Sequence, residues 1–289
     1  MAARLISTLM KILSSFLVSL LSLAFALNSI AQETAVSPFD TTQYGRNAKV
    51  GHYLNTRGVK LYYEIYGKGA PLLMIHGNGG AINNFLYQAS YFSKSYRVIL
   101  VDSRAQGKSV DEADSLSYEM MADDFNALLD SLRLDSCYIL GWSDGGINGL
   151  LLAMRHPDKV KKLAITGANL WPDTTAIGLA DYQWAMNYYD SLKEKPGTAQ
   201  VRHDLKLAYL ISFEPRISLA QLKNILCPTL VIGGDHDIIL PKHTMLIAQS
   251  IPGASLWIVP DSGHATLHQH KEQFNQVVDG FFQKPILKK

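Results

Sequence analysis

Short, uninterrupted runs of apolar residues recur along the chain from residue 71 onward. They do not alternate with polar residues, which is typical of strands covered on both faces, as in a parallel sheet. The runs lie at residues 72–75, 98–101, 138–140, 163–165, 230–232 and 256–259. Most are separated by stretches with apolar residues at helical spacing, which lie at 82–92, 118–134, 242–250 and 271–283. This alternation predicts an α/β fold with a doubly wound, mostly parallel sheet.

An earlier pair of segments has a mixed pattern. Residues 50–54 and 59–66 combine apolar and polar positions, and Arg57-Gly58 lies between them. Mixed positions fit strands with one solvent-facing side, and a short connection that contains glycine fits a hairpin. The sequence therefore predicts an antiparallel hairpin at one edge of the sheet.

Residues 169–226 interrupt the alternation of strands and helices. They contain no strand-like run, and helices are predicted at about 177–193 and 198–212. We interpret this segment as a small helical cap, inserted before the strand at 230–232. Its first half is rich in aromatic residues, which either fill the core of the cap or line an apolar pocket beneath it. Candidate substrate contacts are Trp142, Trp171 and Trp184.

The first 31 residues have the pattern of a secretory signal peptide. Two basic residues precede an uncharged apolar run over 12–27, and small residues at 29 and 31 fit cleavage before Gln32. A retained membrane anchor is the alternative, but the run contains several serines and is shorter than the roughly 20 residues that span a bilayer. We therefore expect an exported protein, periplasmic or secreted.

The remaining composition suits one large globular domain, with residues 32–48 as a flexible lead-in and 49–289 as the fold. The chain has 289 residues, of which 47% are hydrophobic and 18% charged. Without the signal, lysine plus arginine falls from 27 to 25 and equals the 25 acidic residues. Nucleic acid and stable membrane association are therefore not expected. The two cysteines, Cys137 and Cys227, are interpreted as free thiols.

Chemically useful side chains follow five of the predicted parallel strands. The carboxyl ends of such strands meet at one edge of the sheet, which is where ligands bind in this class of fold. A hydroxyl, carboxylates and an imidazole are predicted at this edge. Their order along the chain is Ser, Asp, His, which is the order found in folds with a nucleophile elbow. The segments are His-Gly-Asn-Gly-Gly at 76–80, Asp-Ser-Arg-Ala-Gln-Gly-Lys-Ser at 102–109, Gly-Trp-Ser-Asp-Gly at 141–145, Gly-Gly-Asp-His-Asp at 233–237 and Pro-Asp-Ser-Gly-His at 260–264.

The third of these segments has the pattern of a nucleophile elbow. A predicted strand ends in Gly-Trp-Ser-Asp-Gly-Gly, and a helical pattern follows at once and ends at Pro157. Glycines at 141 and 145 remove the side chains that would collide where strand and helix nearly touch. The turn then presents the hydroxyl of Ser143 above the sheet.

Taken together, these motifs identify the chain from about residue 50 onward as similar to the α/β-hydrolase superfamily. The elbow, with His-Pro at 156–157 and Gly-Ala-Asn at 167–169, also resembles the valacyclovir-hydrolase-like (biphenyl hydrolase-like) esterases. One segment departs from the superfamily pattern. The superfamily usually has Arg-Gly-x-Gly after this strand, whereas this chain has Arg-Ala-Gln-Gly at 104–107. Because alanine replaces the first glycine, the turn is expected to differ in geometry.

The motifs assign catalytic roles to three side chains. His264 would take the proton of Ser143 and later return it to the leaving alcohol, while an aspartate orients the imidazole. We choose Asp237 over Asp235 for the aspartate, because its spacing from Gly234 and Pro241 matches the superfamily. The backbone N–H groups of Asn78 and Asp144 are the predicted oxyanion donors.

The carboxylate of Asp144 has two interpretations. It either stabilises the N-terminus of the helix that follows or binds an ammonium group of the substrate, as the narrower resemblance implies for amino-acid esters. No metal or other cofactor is predicted. His264 and His268 have a ligand-like spacing, but no glutamate occupies the position that a zinc protease needs.

The sequence thus predicts a serine hydrolase that cleaves a carboxylic ester, or a similar acyl bond, of a small substrate. Three alternatives stay open: an aminopeptidase or amidase of the same fold, a C–C bond hydrolase, and a binding protein without catalysis. Enzymes of this fold with an aspartate nucleophile are disfavoured by Ser143.

Overall fold

The computed structural model describes residues 43–286, which belong to one compact unit. The predicted signal peptide, residues 1–31, and most of the predicted lead-in lie outside the described residues. Within the described range, no helix is both long enough and apolar enough to cross a bilayer.

A single sheet forms the centre of the described structure. Its spatial order is β1-β2-β4-β3-β6-β7-β8-β9, with β5 paired to β2. Strands β1 and β2 form the predicted antiparallel edge hairpin, and β3, β4 and β6 to β9 are mutually parallel. The strands are β1 Gly51–Thr56, β2 Val59–Tyr66, β3 Ala70–Ile75, β4 Tyr96–Val101, β5 Val110–Asp111, β6 Cys137–Trp142, β7 Val160–Thr166, β8 Thr229–Gly234 and β9 Ser255–Val259.

All six uninterrupted apolar runs are strands of the parallel part. In β3, the side chains from Leu72 to Ile75 are fully buried, because helices cover both faces of the sheet. The doubly wound α/β prediction is therefore confirmed. Strand β5 was not predicted, since two residues are too few to show a periodic pattern.

Helices connect most of the parallel strands. The predicted helix over 118–134 ends at Ser131, because Arg133 takes a left-handed conformation with φ 55°. The stretch over 82–92 begins with a 3-10 turn at Ile82–Phe85. The helices are α1 Leu86–Phe92, α2 Tyr118–Ser131, α3 Asp144–Arg155, α4 Leu179–Lys193, α5 Ala199–Phe213, α6 Leu219–Leu222, α7 Pro241–Ser250, α8 Thr266–Gln269 and α9 Lys271–Gln283.

The segment over 169–226 is the predicted helical cap, built from α4, α5 and α6. Hydrogen bonds join α5 to the loops at the carboxyl edge of the sheet. The ring nitrogen Nε2 of His203 lies 2.6 Å from the carbonyl oxygen of Ala105. The side-chain amide of Asn78 donates to the carbonyl of Leu207 at 3.3 Å. These contacts place the cap over the strand ends.

The described part of the lead-in is hydrogen-bonded to the folded domain. The backbone N–H groups of Gly45 and Asn47 donate to the carboxylate of Glu64 at 2.8 and 3.1 Å, and Tyr62 and Tyr66 donate their hydroxyls to it. Glu64 is fully buried, and a buried carboxylate needs such donors. Residues 43–48 therefore belong to the folded domain rather than to the flexible segment proposed for 32–48.

Candidate active site

The turn between β6 and α3 is a tight elbow with Ser143 at its apex. Ser143 has φ 56° and ψ −119°, a conformation that side chains rarely adopt. A methyl group on Gly145 would lie 1.8 Å from the carbonyl oxygen of Ile75, and one on Gly141 would lie 2.2 Å from the carbonyl oxygen of Gly145. The glycine spacing is therefore a steric requirement of this turn.

Ser143, His264 and Asp237 form a continuous hydrogen-bonded chain. The hydroxyl oxygen of Ser143 lies 2.9 Å from Nε2 of His264, and Nδ1 of His264 lies 2.7 Å from Oδ1 of Asp237. The carboxylate of Asp237 can only accept, so Nδ1 carries the proton and Nε2 presents its lone pair to the serine. Burial of the Asp237 side chain and a hydrogen bond from the N–H of Ile239 at 3.0 Å fix the carboxylate.

Asp235, the rejected alternative for the acid, has a different environment. Its carboxylate accepts the backbone N–H groups of Ser262 and Asp261 at 3.0 and 3.1 Å. These hydrogen bonds hold the pKa of Asp235 below its usual value. Asp235 therefore fixes the turn that leads to His264 and does not contact the imidazole.

The glycine-rich loop at 76–80 lies against the elbow. A methyl group on Gly77 would lie 3.1 Å from Cβ of Ser143. His76 has a fixed tautomer, because its Nε2 accepts the N–H of Ser103 at 3.0 Å and its Nδ1 donates to the carbonyl of Gly77 at 2.7 Å. Burial lowers the pKa of His76 to about 4, so the ring is neutral near pH 7 and serves as a structural brace.

The predicted oxyanion donors come from two different elements next to the nucleophile. Asn78 belongs to the glycine-rich loop, and Asp144 is the first residue of α3. The N–H groups of the first helical turn have no acceptor within the helix and are available to a ligand. The arrangement thus offers donors beside Ser143 at the positive end of a helix dipole.

A cavity of about 490 Å³ opens beside Ser143 and beneath the cap. The apolar part of its wall comes mainly from α4, α5 and the loop after β8, and the polar part comes from the strand ends. The lining residues are Gly77, Asn78, Gly79, Gly80, Asn84, Tyr118, Trp142, Ser143, Asp144, Asn169, Ile177, Asp181, Trp184, Ala185, Ile211, Glu214, Ile238, Ile239 and His264.

Two of the three predicted tryptophan contacts line this cavity. Trp142 does so while its indole N–H donates to the carbonyl of His264 at 3.0 Å, and Trp184 lies at the mouth with 61% of its surface exposed. Trp171 does not line the cavity, so its predicted substrate contact is wrong. Its indole N–H donates to Thr175 and its ring packs edge-on against His243, which makes it part of the base of the cap.

The carboxylate of Asp144 lies at the polar end of the cavity and is only 4% exposed. The side-chain amide of Asn78 donates to its Oδ2 at 2.8 Å, and the hydroxyl of Tyr118 hydrogen-bonds to the same carboxylate. Burial raises the pKa of Asp144 to about 6, although both donors act in the opposite direction. Near pH 7 the cavity thus holds a buried negative charge beside the nucleophile.

This raised pKa predicts a pH-dependent gain in stability for Asp144→Asn. The folded protein binds the Asp144 proton more tightly than the unfolded chain, whose value is 3.8, so ionisation destabilises the fold as pH rises from about 4 to about 6. Asparagine keeps an acceptor for Asn78 and removes the charge. We expect a free energy of unfolding about 1–3 kcal/mol above wild type at pH 8 and close to wild type at pH 4. Urea denaturation at both pH values measures it, and an equal difference at both contradicts it.

Tyr118 and Glu214 are cavity residues that the sequence patterns did not single out. Tyr118 begins α2, where its apolar ring fits the helical periodicity, and Glu214 follows the last residue of α5 in the cap. Both reach the cavity through tertiary packing of α2 and α5 against the strand ends. A helical pattern does not indicate such a contact, so these two residues could be recognised as cavity residues only from the structure.

Several histidines outside the triad have structural partners. Nε2 of His243 accepts the N–H of Leu170 at 3.0 Å, and Nε2 of His268 lies 2.6 Å from the carbonyl oxygen of Asn84. Within residues 43–286, one group has potential metal ligands within 4.8 Å of one another, namely Asp235, His236 and Asp261 on the surface. The Asp235 carboxylate already accepts two backbone N–H groups, so we interpret this cluster of three residues as part of a turn that these hydrogen bonds stabilise.

A parallel sheet with a serine elbow, a histidine and an aspartate on neighbouring strand ends defines the architecture of a hydrolase. Comparison with known proteins agrees, since a family model described as alpha/beta hydrolase fold matches residues 70–210. The chain has the α/β-hydrolase fold and is similar to hydrolases of that superfamily.

Individual relatives cover nearly the whole domain. Serine hydrolase BPHL of Mus musculus is 26% identical over 272 residues, which are 88% of this chain and 91% of the relative. A 2-hydroxymuconate semialdehyde hydrolase of Pseudomonas putida is 28% identical over 270 residues, 82% of this chain and 95% of the relative. The crystal structure of a hydrolase from Pseudomonas aeruginosa PA01 shares the fold, with a TM-score of 0.69, 24% identity, and coverage of 82% of this chain and 100% of that one.

Proposed function

We propose that the protein is a serine hydrolase that cleaves a carboxylic ester of a small substrate through an acyl-enzyme. The observation that carries this proposal is the hydrogen-bonded chain from Ser143 through His264 to Asp237, with distances of 2.9 and 2.7 Å. Serine is a weak nucleophile unless an adjacent base removes its proton, and His264 is placed to do so. No cofactor is needed for this reaction.

The first half of the reaction acylates the enzyme. The oxygen of Ser143 attacks the ester carbonyl while its proton passes to Nε2 of His264, which becomes an imidazolium stabilised by Asp237. The N–H groups of Asn78 and Asp144 stabilise the oxyanion that forms. His264 then gives the proton to the leaving alcohol as the bond between carbonyl carbon and alcohol oxygen breaks.

The second half regenerates the free enzyme. A water molecule takes the place of the alcohol, gives its proton to His264 and attacks the acyl carbon. Collapse of the second tetrahedral intermediate returns that proton to Ser143 and releases the carboxylic acid. The cavity of about 490 Å³ suits a small acyl substrate, because the volume of the cavity limits the volume of the ligand that it can enclose.

We prefer ester cleavage over amide cleavage because an ester is the more reactive acyl compound and needs less catalytic assistance from the site. An alcohol is the better leaving group, whereas expulsion of an amine depends more strongly on its protonation by His264. C–C bond cleavage is the second candidate reaction, since one relative is named a 2-hydroxymuconate semialdehyde hydrolase. That name applies to the relative, which shares 28% of its aligned residues with this chain.

A positively charged substrate group is supported by the charge of the cavity. Asp144, Asp181 and Glu214 line it, while its described lining contains neither lysine nor arginine. An ammonium group α to the ester carbonyl would lie near Asp144, because this residue directly follows the nucleophile. The alternative role of Asp144, stabilisation of the α3 N-terminus, is compatible with such a contact.

The proposed setting of this activity is outside the cytoplasm. The apolar run over 12–27 with small residues at 29 and 31 supports export through a cleaved signal peptide, with an N-terminal anchor as the alternative. The neutral charge balance without that segment supports a small-molecule partner and gives no basis for nucleic-acid binding.

A substrate panel tests the proposal and separates its alternatives. It comprises aryl esters of increasing acyl length, α-amino esters with their des-amino analogues, amino-acid anilides, and 2-hydroxymuconate semialdehyde. We expect the highest kcat/KM for an ester, with no turnover by Ser143→Ala. A preference for the α-amino ester that Asp144→Asn abolishes supports the ammonium contact. Turnover of the anilide or the semialdehyde alone contradicts ester hydrolysis.

A further inference from the structure

Glu214 lies where the catalytic cavity meets a second, larger groove. Among the described residues, it is the one that lines both the catalytic cavity and this groove of about 1050 Å³, which runs between the cap and the loop after β5. It directly follows the last residue of α5. Glu214 thus forms part of the cavity wall at the end of a cap helix.

The carboxylate of Glu214 is held by the start of α2. The backbone N–H of Tyr118, the first residue of that helix, hydrogen-bonds to it. This N–H has no acceptor within its own helix, so the contact also stabilises the helix N-terminus. A structural role of this kind is compatible with ligand binding, because a carboxylate can accept several hydrogen bonds.

Tyr118 connects Glu214 with Asp144. Its backbone N–H bonds to Glu214, whereas its hydroxyl hydrogen-bonds to the carboxylate of Asp144 at the far end of the side chain. Tyr118 is 1% exposed and lines the cavity, so packing holds its ring between the two carboxylates. The cavity therefore presents one carboxylate next to Ser143 and a second one about the length of a tyrosine away.

This spacing matches the two amino groups of lysine. Six bonds separate the α-nitrogen from the ε-nitrogen of lysine, a span close to that from the backbone nitrogen to the hydroxyl oxygen of a tyrosine. With the ester carbonyl at Ser143 and the α-ammonium at Asp144, the aliphatic chain would follow the Tyr118 ring towards Glu214. Ile211, on the last turn of α5, lines the same cavity and offers apolar surface to the methylene groups.

The negative charge of the cavity has no basic partner in its wall. Burial raises the pKa of both Asp144 and Glu214, which reflects the cost of ionising them there. Arg216 attracts Glu214 from outside the cavity, where its side chain is exposed. Asp181 belongs to the start of its own helix, with Oδ2 2.8 Å from where a methyl group on Gly178 would lie. A substrate with two cationic groups supplies the counter-charges for Asp144 and Glu214.

We propose that Glu214 is a specificity residue that binds a distal ammonium group, so that esters of lysine, or of a diamino acid with a chain of similar length, are the preferred substrates. This role rests on the proposed ester hydrolysis and adds a second point of recognition to it. Water cleaves the ester bond as before, and both amino groups leave unchanged on the carboxylic acid. Glu214 touches no reacting atom.

Methyl esters that differ in one ammonium group test the proposal at pH 7. Lysine and norleucine methyl esters share a four-carbon side chain, and only lysine carries the ε-ammonium. Methyl 6-aminohexanoate and methyl hexanoate repeat the comparison without the α-ammonium. For wild type we expect kcat/KM to be about tenfold or more higher for the ε-ammonium member of each pair, because a charged hydrogen bond forms in a buried cavity. Mass spectrometry of the released acids gives the rates.

Glu214→Gln removes the charge and keeps an acceptor oxygen for the N–H of Tyr118. Its kcat/KM for the ε-ammonium esters should fall to that for their neutral partners, while the neutral esters stay within about twofold of wild type. Glu119→Gln is the matched control, since it removes an exposed charge next to Tyr118 that lines neither the cavity nor the groove. It should keep the full preference. Unfolding midpoints establish that each variant is folded.

The wild-type comparison alone can overturn the role of Glu214, so the test stays decisive if Glu214→Gln does not fold. Equal kcat/KM for lysine and norleucine esters overturns it. An equal loss for charged and neutral esters in Glu214→Gln assigns the carboxylate to the α2 N-terminus alone, and an unchanged lysine preference in that variant rejects the contact. In all three cases, Ser143-dependent ester hydrolysis leaves the proposed function standing. If wild type hydrolyses neither these methyl esters nor aryl esters, the proposed function fails and the role of Glu214 with it.

Discussion

Ser143→Ala is expected to lower kcat for ester hydrolysis by about 10⁴-fold or more, since the triad acts as a unit and loss of its nucleophile removes the acyl-enzyme route. The exchange keeps Cβ, so the elbow and the cavity retain their shape. Substrate binding should change little, because the oxyanion donors and the cavity wall remain. The measurement is steady-state kinetics on the best ester of the substrate panel.

Ser250→Ala is the matched control for this exchange. It removes a hydroxyl on α7 that donates to the carbonyl of Leu246 at 2.8 Å, and it does not touch the cavity. Its kcat should equal that of wild type. Ester turnover by purified Ser143→Ala at more than a few per cent of the wild-type rate contradicts the assignment of the nucleophile.

Gly145→Ala is expected to prevent the native elbow from forming. The new methyl group would lie 1.8 Å from the carbonyl oxygen and 2.4 Å from the carbonyl carbon of Ile75. Both contacts are to the backbone of a central strand, which cannot move without disturbing its two neighbours. We expect a loss of more than about 3 kcal/mol in the free energy of unfolding, or insoluble protein, together with loss of activity.

Gly197→Ala provides the comparison for this prediction. Gly197 lies between α4 and α5, and a methyl group there meets no atom within 4 Å. Its free energy of unfolding should stay within about 0.5 kcal/mol of wild type. Chemical denaturation of both variants measures the difference. A Gly145→Ala protein with the same midpoint as wild type contradicts the close packing of the elbow against β3.

Local patterns predict this fold well because each parallel strand is buried on both faces. Such a strand reads as an uninterrupted apolar run, and the polar residues after it mark the carboxyl edge of the sheet. Ser143, Asp237 and His264 each directly follow such a run or lie within a few residues of its end, so strand ends alone bring them to one region. The choice between Asp235 and Asp237 needed the spacing to Pro241 as well.

Other parts of the site depend on tertiary packing that no periodic pattern in the sequence indicates. Trp171 belongs to the same aromatic stretch as Trp184, yet only Trp184 faces the cavity, because the first turn of the cap packs Trp171 onto His243. Gln106 lies in a segment where the sequence departs from the superfamily pattern, but the alanine before it has a left-handed, glycine-like backbone with φ 62°, which corrects the expected change in turn geometry. The hydrogen bond that the Gln106 side chain accepts from the N–H of Gly79 at 2.7 Å spans 27 positions. Side-chain direction in irregular loops of this kind follows from tertiary hydrogen bonds, which a single sequence does not reveal.

Covalent labelling by a fluorophosphonate tests the central claim most directly, since it depends on the activated serine and not on the identity of the substrate. Intact-mass spectrometry followed by peptide mapping should show one adduct per chain, located on Ser143, and no adduct in Ser143→Ala. An unmodified wild-type protein, or an adduct on any other residue, would contradict a serine hydrolase built on Ser143, His264 and Asp237.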